Sequence, residues 1–159
     1  MAPPESDTQR RLELALYVAA IALPAFLIFL VQPMVGKRIL PWFGGSPGVW
    51  AVCLAFYQTA LFAGYAYAHA LMRLVPPSFQ VAVHGVLVLL AVVGPGVLPW
   101  PRPEGVDAAA PITQILALLV RHVALPFVVL AATGPLVQAW FARRHPCLLY
   151  TSDAADEWL

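Results

Sequence analysis

The stretch VQPMVGKRILPWFGGSPGVW, residues 31–50, decides the fold, because it joins two long apolar segments and holds charges that neither contains. Its interfacial and turn-forming residues are, in order, Lys37, Arg38, Trp42, Gly44, Gly45, Ser46 and Pro47. That order is typical of a chain that leaves a bilayer, turns among the headgroups and goes back in, with charges in water and tryptophan at the interface. Ser46 is expected to cap the next helix, with Pro47 as its first residue. The stretch therefore predicts a loop between two membrane helices.

Composition agrees with that interpretation. Of the 159 residues, 61% are hydrophobic and only 11% are charged, whereas soluble domains carry about a quarter charged residues. The formal net charge of +1 gives no basic footprint for nucleic acid. Two cysteines do not make a disulfide framework. The partner that the composition predicts is the lipid bilayer.

The apolar segments predict an all-α integral membrane bundle with about four transmembrane helices. The predicted units are a polar tail 1–13, a membrane domain 14–146 with spans at about 14–31, 49–71, 79–98 and 112–142, and a tail 147–159. At ~1.5 Å per residue the first span covers roughly 27 Å, close to the ~30 Å hydrocarbon core. It is longer than a signal-peptide core and lacks a cleavage site, so we predict a retained span.

The second span carries small residues at helical spacing. Ala60, Gly64 and Ala68 fall at i, i+4 and i+8, which lets another helix backbone approach closely. The alternative is the ordinary abundance of alanine and glycine in membrane helices.

The fourth span is ambiguous at its start. Gln114 and Arg121, seven residues apart, fall on the side opposite the apolar residues of 112–123. Arg121 facing lipid at mid-bilayer would cost about 2.5–3.5 kcal/mol. Either this part lies in the interface, or it begins a long tilted helix whose polar side faces protein or water. We slightly favour the long helix.

A few polar residues near or within the spans are candidates for function. They are Gln32, Gln58, Arg121 and His122. Gln32 could bind a polar substrate group or cap a helix end, and Gln58 could line a substrate path or serve helix packing. Arg121 and His122 could be a buried charged site or could snorkel to the interface. Lys37 and Arg38 contact lipid phosphate or stay in water.

Two histidines, His69 and His84, flank the turn after the second span. Without carboxylates or thiols they make a poor metal set, so both are interpreted as interface residues.

The loops predict an orientation. With the N-terminus inside, the cytoplasmic side holds Arg10, Arg11, Arg73, Arg143 and Arg144, and the other side holds Lys37, Arg38 and Arg102. Five against three favours a cytoplasmic N-terminus.

The tail from Cys147 changes character. Residues 147–157, CLLYTSDAADE, resemble the translation of a transposase-end adapter used in DNA library preparation. We therefore expect 147–159 to be non-native and the natural protein to continue past Pro146. The alternative is a genuine short cytoplasmic tail.

Three segments resemble a known family. FLIFLVQPMVGKRILPWFGGSPGVW (26–50), FYQTALFAGYAYAH (56–69) and LPFVVLAATGPLVQAWFARRHP (125–146) are similar to the membrane region of bacterial fused spermidine-synthase-like proteins, themselves similar in part to major-facilitator-type transporters. The resemblance implies a bacterial inner-membrane protein, in which these helices precede an aminopropyltransferase-like domain that uses decarboxylated S-adenosylmethionine and putrescine.

This chain contains no matching catalytic positions. Its glycines do not spell GxGxxG after a strand, so we expect no catalytic residue, cofactor site or metal site in it. Whether the parent protein is an enzyme of this class stays open. The expected role is to anchor that domain and to help transport a polyamine or related molecule. The alternatives are part of a secondary transporter without an enzymatic domain, or a purely structural anchor.

Overall fold

The computed structural model describes residues 7–94 and 111–144, and all regular structure there is helical. The elements are α1 Asp7–Phe43, α2 Pro47–Leu74, α3 Pro77–Val93, α4 Pro111–Leu119, a π-helical turn Val120–Ala124, and α5 Leu125–Arg144. The predicted all-α class is confirmed. The predicted tail 147–159, residues 1–6 of the polar tail and residues 95–98 of the predicted third span lie outside the described residues.

The prediction of a loop over 31–50 is wrong for most of its length, because α1 continues to Phe43. Membrane helices tolerate proline, and α1 runs through both Pro33 and Pro41. Continuing the helix carries Ile39 into the core against α2, where it is completely buried. α1 also begins earlier than predicted, at Asp7 rather than after residue 13.

The reversal between α1 and α2 takes only residues 44–46. Gly44 (φ 86°) and Gly45 (φ 62°) are left-handed, a conformation that glycine adopts without steric cost. The Gly45 N–H donates to the Leu40 carbonyl at 3.0 Å, as in a Schellman helix end. Pro47 is the first residue of α2, but the expected side-chain cap by Ser46 is wrong. The Ser46 backbone carbonyl instead accepts the N–H of Val49 at 3.1 Å.

The last helical segment is continuous over 34 residues, Pro111–Arg144, as the long-helix alternative expects, and what the polar side of this segment faces stays a prediction. Its widened turn precedes Pro126, which has no N–H to donate to the His122 carbonyl and whose ring would crowd that carbonyl. Every fourth residue faces the core along this stretch: Ile115, Leu119, Val123 and Phe127.

Three helical segments in the described part of the chain are long and apolar enough to cross a membrane: Arg11–Phe43, Pro47–Leu74 and Pro111–Arg144. α3 is also apolar but has 17 described residues, roughly 26 Å, slightly short of the ~30 Å hydrocarbon core. The prediction of about four spans therefore becomes three long helices and one shorter one. In the most apolar stretch of α1, only 6% of the residues are buried, so much of the outer surface is apolar. Such a surface is suited to lipid rather than to water.

The helices alternate in direction. The start of α1 meets the end of α5 through an ion pair between Glu13 and Arg144 (3.3 Å) and a ring contact between Tyr17 and Phe141, whose centroids are 4.7 Å apart. We call this the N-terminal end of the bundle, and the opposite end, at the α1–α2 turn, the Gly44 end.

α2 packs most extensively on α5, along the small residues of its buried face. Ala60, Gly64 and Ala68 are all buried. A Cβ atom on Gly64 would lie 2.6 Å from the Ala131 Cβ and 2.9 Å from the Val128 carbonyl oxygen. The two backbones are therefore in direct contact at Gly64, and dispersion contacts of this kind drive helix association in lipid.

We predict that Gly64→Ala destabilises the protein by about 1–3 kcal/mol, because the added methyl overpacks the α2–α5 contact. Gly85→Ala in α3 is the matched control, since its Cβ would meet nothing within 4 Å. Thermal unfolding of the detergent-purified proteins measures both. Equal melting temperatures for Gly64→Ala and Gly85→Ala would show that the helices do not approach this closely.

Candidate functional site

Five polar or aromatic side chains meet where α2, α3 and α5 converge. This polar cluster consists of Tyr67, Gln80, His84, Thr133 and Trp140. Gln80 and His84 are the two buried polar residues among those described, both on an otherwise apolar helix. A cluster of this kind in an apolar bundle is the first place to look for function.

Gln80 ties α3 to the end of α2. Its amide Nε2 donates to the Val75 carbonyl at 2.7 Å and lies 3.4 Å from the Leu71 carbonyl oxygen. Val75 is the C-cap residue of α2, where backbone carbonyls lack a partner within the helix, so Gln80 supplies one. On its other side, the Gln80 Oε1 accepts the indole N–H of Trp140 at 3.0 Å. One amide therefore links three helices.

His84 occupies a hydrogen-bonded chain with a defined direction. The Thr133 hydroxyl donates to the Val129 carbonyl at 2.8 Å, so it can only accept from the His84 Nε2, 3.1 Å away. That assigns the proton to Nε2 and leaves Nδ1 as an acceptor for the Tyr67 hydroxyl at 3.5 Å. One ring nitrogen of His84 then donates and the other accepts, which corresponds to a neutral imidazole.

The position of the cluster follows from the spacing in α3. Gln80 and His84 are four residues apart and share one face, and this face packs on α2 and α5. The apolar residues of α3 are mostly exposed, including Val81 and Leu89. α3 is therefore attached to the bundle largely through hydrogen bonds, and its exposed apolar surface is suited to lipid.

The arrangement does not fit nucleophilic catalysis. A nucleophilic threonine needs a base that takes its proton, but the Thr133 proton points to Val129 and His84 donates rather than accepts. Within residues 7–94 and 111–144, no group of three or more potential ligands could hold a metal ion. The cluster instead joins and orients helices.

A second feature is a cavity of about 160 Å³ between α1 and α2, which we call the α1–α2 cavity. It is lined by Phe29, Gln32, Pro33, Trp50, Cys53, Leu54 and Tyr57. The ring of Trp50 packs directly on Gly36 of α1. Of the side-chain nitrogen and oxygen atoms that are buried in the described residues, only the Tyr57 hydroxyl lacks a hydrogen-bond partner. The sequence pattern carries no signal that would place Tyr57 and Cys53 in a cavity.

The residues predicted to be functional are spread over the bundle. Gln32 is half-buried and lines the α1–α2 cavity. The other three candidates, Gln58, Arg121 and His122, do not line this cavity. Gln58 is also exposed on α2, so its predicted role in a substrate path or in helix packing stays a prediction. Arg121 is exposed within the π-helical turn, and His122 is half-buried, with its Nδ1 3.1 Å from the Leu118 carbonyl oxygen.

The charged pair near the Gly44 end remains at the surface. Lys37 and Arg38 are both exposed, and the Arg38 guanidinium lies 5.8 Å from the centre of the Trp42 ring. This distance is within the range of a cation–π contact.

The polar cluster is the part of the candidate site that sequence analysis missed. His69 is exposed, as an interface residue would be, but the same interpretation of His84 is wrong because His84 is buried. A signal was present: Gln80 and His84 stand four apart in an apolar segment, and polar residues on one face of such a helix point towards protein.

No family model, curated protein or solved structure matches this chain. The fold itself defines the class. The described residues form an all-α bundle with three helices long and apolar enough to cross a membrane, compatible with an integral membrane protein.

We predict that Gln80→Leu destabilises the bundle by about 1–3 kcal/mol, since it leaves the Trp140 N–H and the Val75 carbonyl unpaired in an apolar interior. Gln58→Leu is the matched control, because Gln58 is exposed and should change stability by less than about 0.5 kcal/mol. Thermal unfolding in detergent compares the two. If Gln80→Leu behaved like Gln58→Leu, the cluster would not stabilise the fold.

Proposed function

We propose that this chain is the membrane domain of a bacterial fused spermidine-synthase-like protein, and that it anchors an aminopropyltransferase-like domain at the inner membrane. The observation that carries the proposal is the set of three long apolar helices with lipid-suited outer faces. The family assignment is supported by the resemblance of segments 26–50, 56–69 and 125–146.

The contacts in the bundle suit an anchor. Small residues on α2 bring it against α5, and the polar cluster ties α3 to both. The ion pair between Glu13 and Arg144 joins the first and last described helices at the N-terminal end. These contacts hold the end of α5 in a defined place, which a domain that follows α5 requires.

The proposed orientation places the N-terminal end in the cytoplasm. The basic residues Arg11, Arg73, Arg143 and Arg144 belong to this end, and the positive-inside rule favours that side. A domain following α5 would then face the cytoplasm, where putrescine and decarboxylated S-adenosylmethionine are expected. On this proposal the chemistry belongs to the following domain and the described helices contribute position.

A specific feature favours transport as a second candidate function. A cavity of about 250 Å³ between α1 and α5 is lined by Pro24 and Pro135, together with Tyr65 and Gln138. Each proline leaves a backbone carbonyl in its helix without the usual N–H partner. Helices interrupted by glycine or proline around a cavity are typical of transporter substrate sites.

The distribution of carboxylates in the bundle favours the anchoring function over transport. The carboxylates among the described residues, Asp7 and Glu13, are both near the start of α1. A polycation crossing the bundle would meet no carboxylate along the described helix interiors. For a polyamine, the anchor is therefore the better supported function.

To test the anchor, the parent locus is sequenced across Pro146 and the complete protein is expressed. We expect aminopropyltransferase activity that sediments with membranes, resists alkaline carbonate and is released by detergent. A version beginning after Pro146 is the control and should place the same activity in the supernatant. A locus that encodes only further apolar segments after Pro146, or an activity that is soluble in the complete protein, would overturn the proposal.

Transport is tested with the complete protein in liposomes. If the bundle is only an anchor, labelled putrescine should enter no faster than into empty liposomes. Uptake that saturates with putrescine and is reduced by Gln138→Leu, but not by the exposed control Gln58→Leu, would favour the transporter alternative.

A further inference from the structure

The α1–α2 cavity is lined by three side chains that the proposed function does not use: Tyr57, Cys53 and Gln32. Tyr57 is 2% exposed, and its hydroxyl has no hydrogen-bond partner among the described residues. A buried hydroxyl left unpaired costs free energy, so a group that accepts a hydrogen bond from it recovers part of that cost. Tyr57 and Cys53 form the buried part of the cavity, and Gln32 adds an amide to its lining.

The cavity opens on the outer surface of the bundle. Phe29 is 81% exposed and Leu54 is 41% exposed, and both line it. These residues belong to the apolar exteriors of α1 and α2, so the opening faces the bilayer rather than the centre of the bundle. What enters it therefore comes from the lipid phase.

The depth of the cavity in the membrane determines which part of a lipid molecule lies beside it. Lys37 is five residues beyond Gln32, roughly 7.5 Å along the helix axis. The headgroup and interfacial layer is about 5–8 Å thick on each side of the hydrocarbon core. With Lys37 at the level of the lipid phosphates, Gln32 and Tyr57 lie near the ester carbonyls, which are hydrogen-bond acceptors.

Charge points to the same occupant. Lys37 lies one helical turn beyond Pro33, a cavity-lining residue, so both are on the same side of α1. Arg38 is rotated by a further 100° and contacts Trp42. The described carboxylates are at the opposite end of the bundle, so Lys37 presents an uncompensated positive charge beside the opening.

We propose that the α1–α2 cavity is a binding site for a phospholipid. The lipid phosphate pairs with Lys37, and its ester carbonyls accept hydrogen bonds from the Tyr57 hydroxyl and the Gln32 amide. The upper part of one acyl chain lies against Phe29 and Leu54. The site requires only that the bundle is in a membrane, and it does not depend on the anchoring role proposed above.

The test uses the full chain purified in detergent, with lipid binding followed by native mass spectrometry. The probes are diacyl phosphatidylglycerol and its dialkyl ether analogue, which keeps the phosphate and chains but lacks the ester carbonyls. We expect the ester lipid to bind about two- to tenfold more tightly, as one or two hydrogen bonds allow. Equal affinities would overturn the proposal.

Variants locate the site. Tyr57→Phe should remove the preference for the ester lipid while keeping or raising thermal stability, because it deletes an unpaired hydroxyl. The matched control Tyr65→Phe, on the same helix but outside this cavity, should leave the preference unchanged. Lys37→Ala should weaken binding of both lipids, and Arg38→Ala should not.

If Tyr57→Phe does not fold, the ester and ether comparison on the unmodified protein still decides. Tyr57→Phe that folds and retains the ester preference would overturn the proposal, and so would Lys37→Ala that binds phosphatidylglycerol as the unmodified protein does.

Discussion

The close approach of α2 and α5 at Gly64 is the contact on which the rest of the bundle depends. In lipid there is no hydrophobic driving force between apolar helices, so association relies on dispersion and hydrogen bonds at short range. The absence of a side chain at Gly64 brings the backbone of α2 against Ala131 and Ala132. Phe127 and Tyr57 then meet on one side of this contact, with ring centroids 5.2 Å apart.

Hydrogen bonds attach the third helix to the pair that the small residues bring together. The polar cluster holds α3, a helix whose apolar residues mostly face outward, through Gln80 and His84. Because nearly all of its donors and acceptors are paired within the protein, the cluster resembles a structural joint more than a reactive site. Outside this cluster, the Tyr57 hydroxyl is the one buried side-chain oxygen or nitrogen of the described residues without a hydrogen-bond partner. Tyr57 lines the α1–α2 cavity together with Gln32.

The predicted turn shows how local patterns both succeed and fail. Gly44-Gly45 reverses the chain, as their sequence suggested, because both residues adopt positive φ. The length of α1 was underestimated, because Lys37, Arg38 and the prolines suggested that the helix had already ended. The burial of Ile39 against α2 is a tertiary contact and leaves no local mark at the helix end. For the same reason the local pattern predicts a role for Gln58 and Arg121, which are both exposed, and none for the buried Gln80.

By itself, the sequence determined the apolar character that suits a membrane, the helical class and the glycine turn, because these depend on composition and on the conformational preferences of single residues. Only the tertiary structure decided which polar residues matter. A glutamine in an apolar segment gives the same sequence signal whether it lies at the surface of the bundle, as Gln58 does, or between three helices, as Gln80 does. The difference is the rotation of each helix about its axis, which is set by packing between segments far apart in the chain.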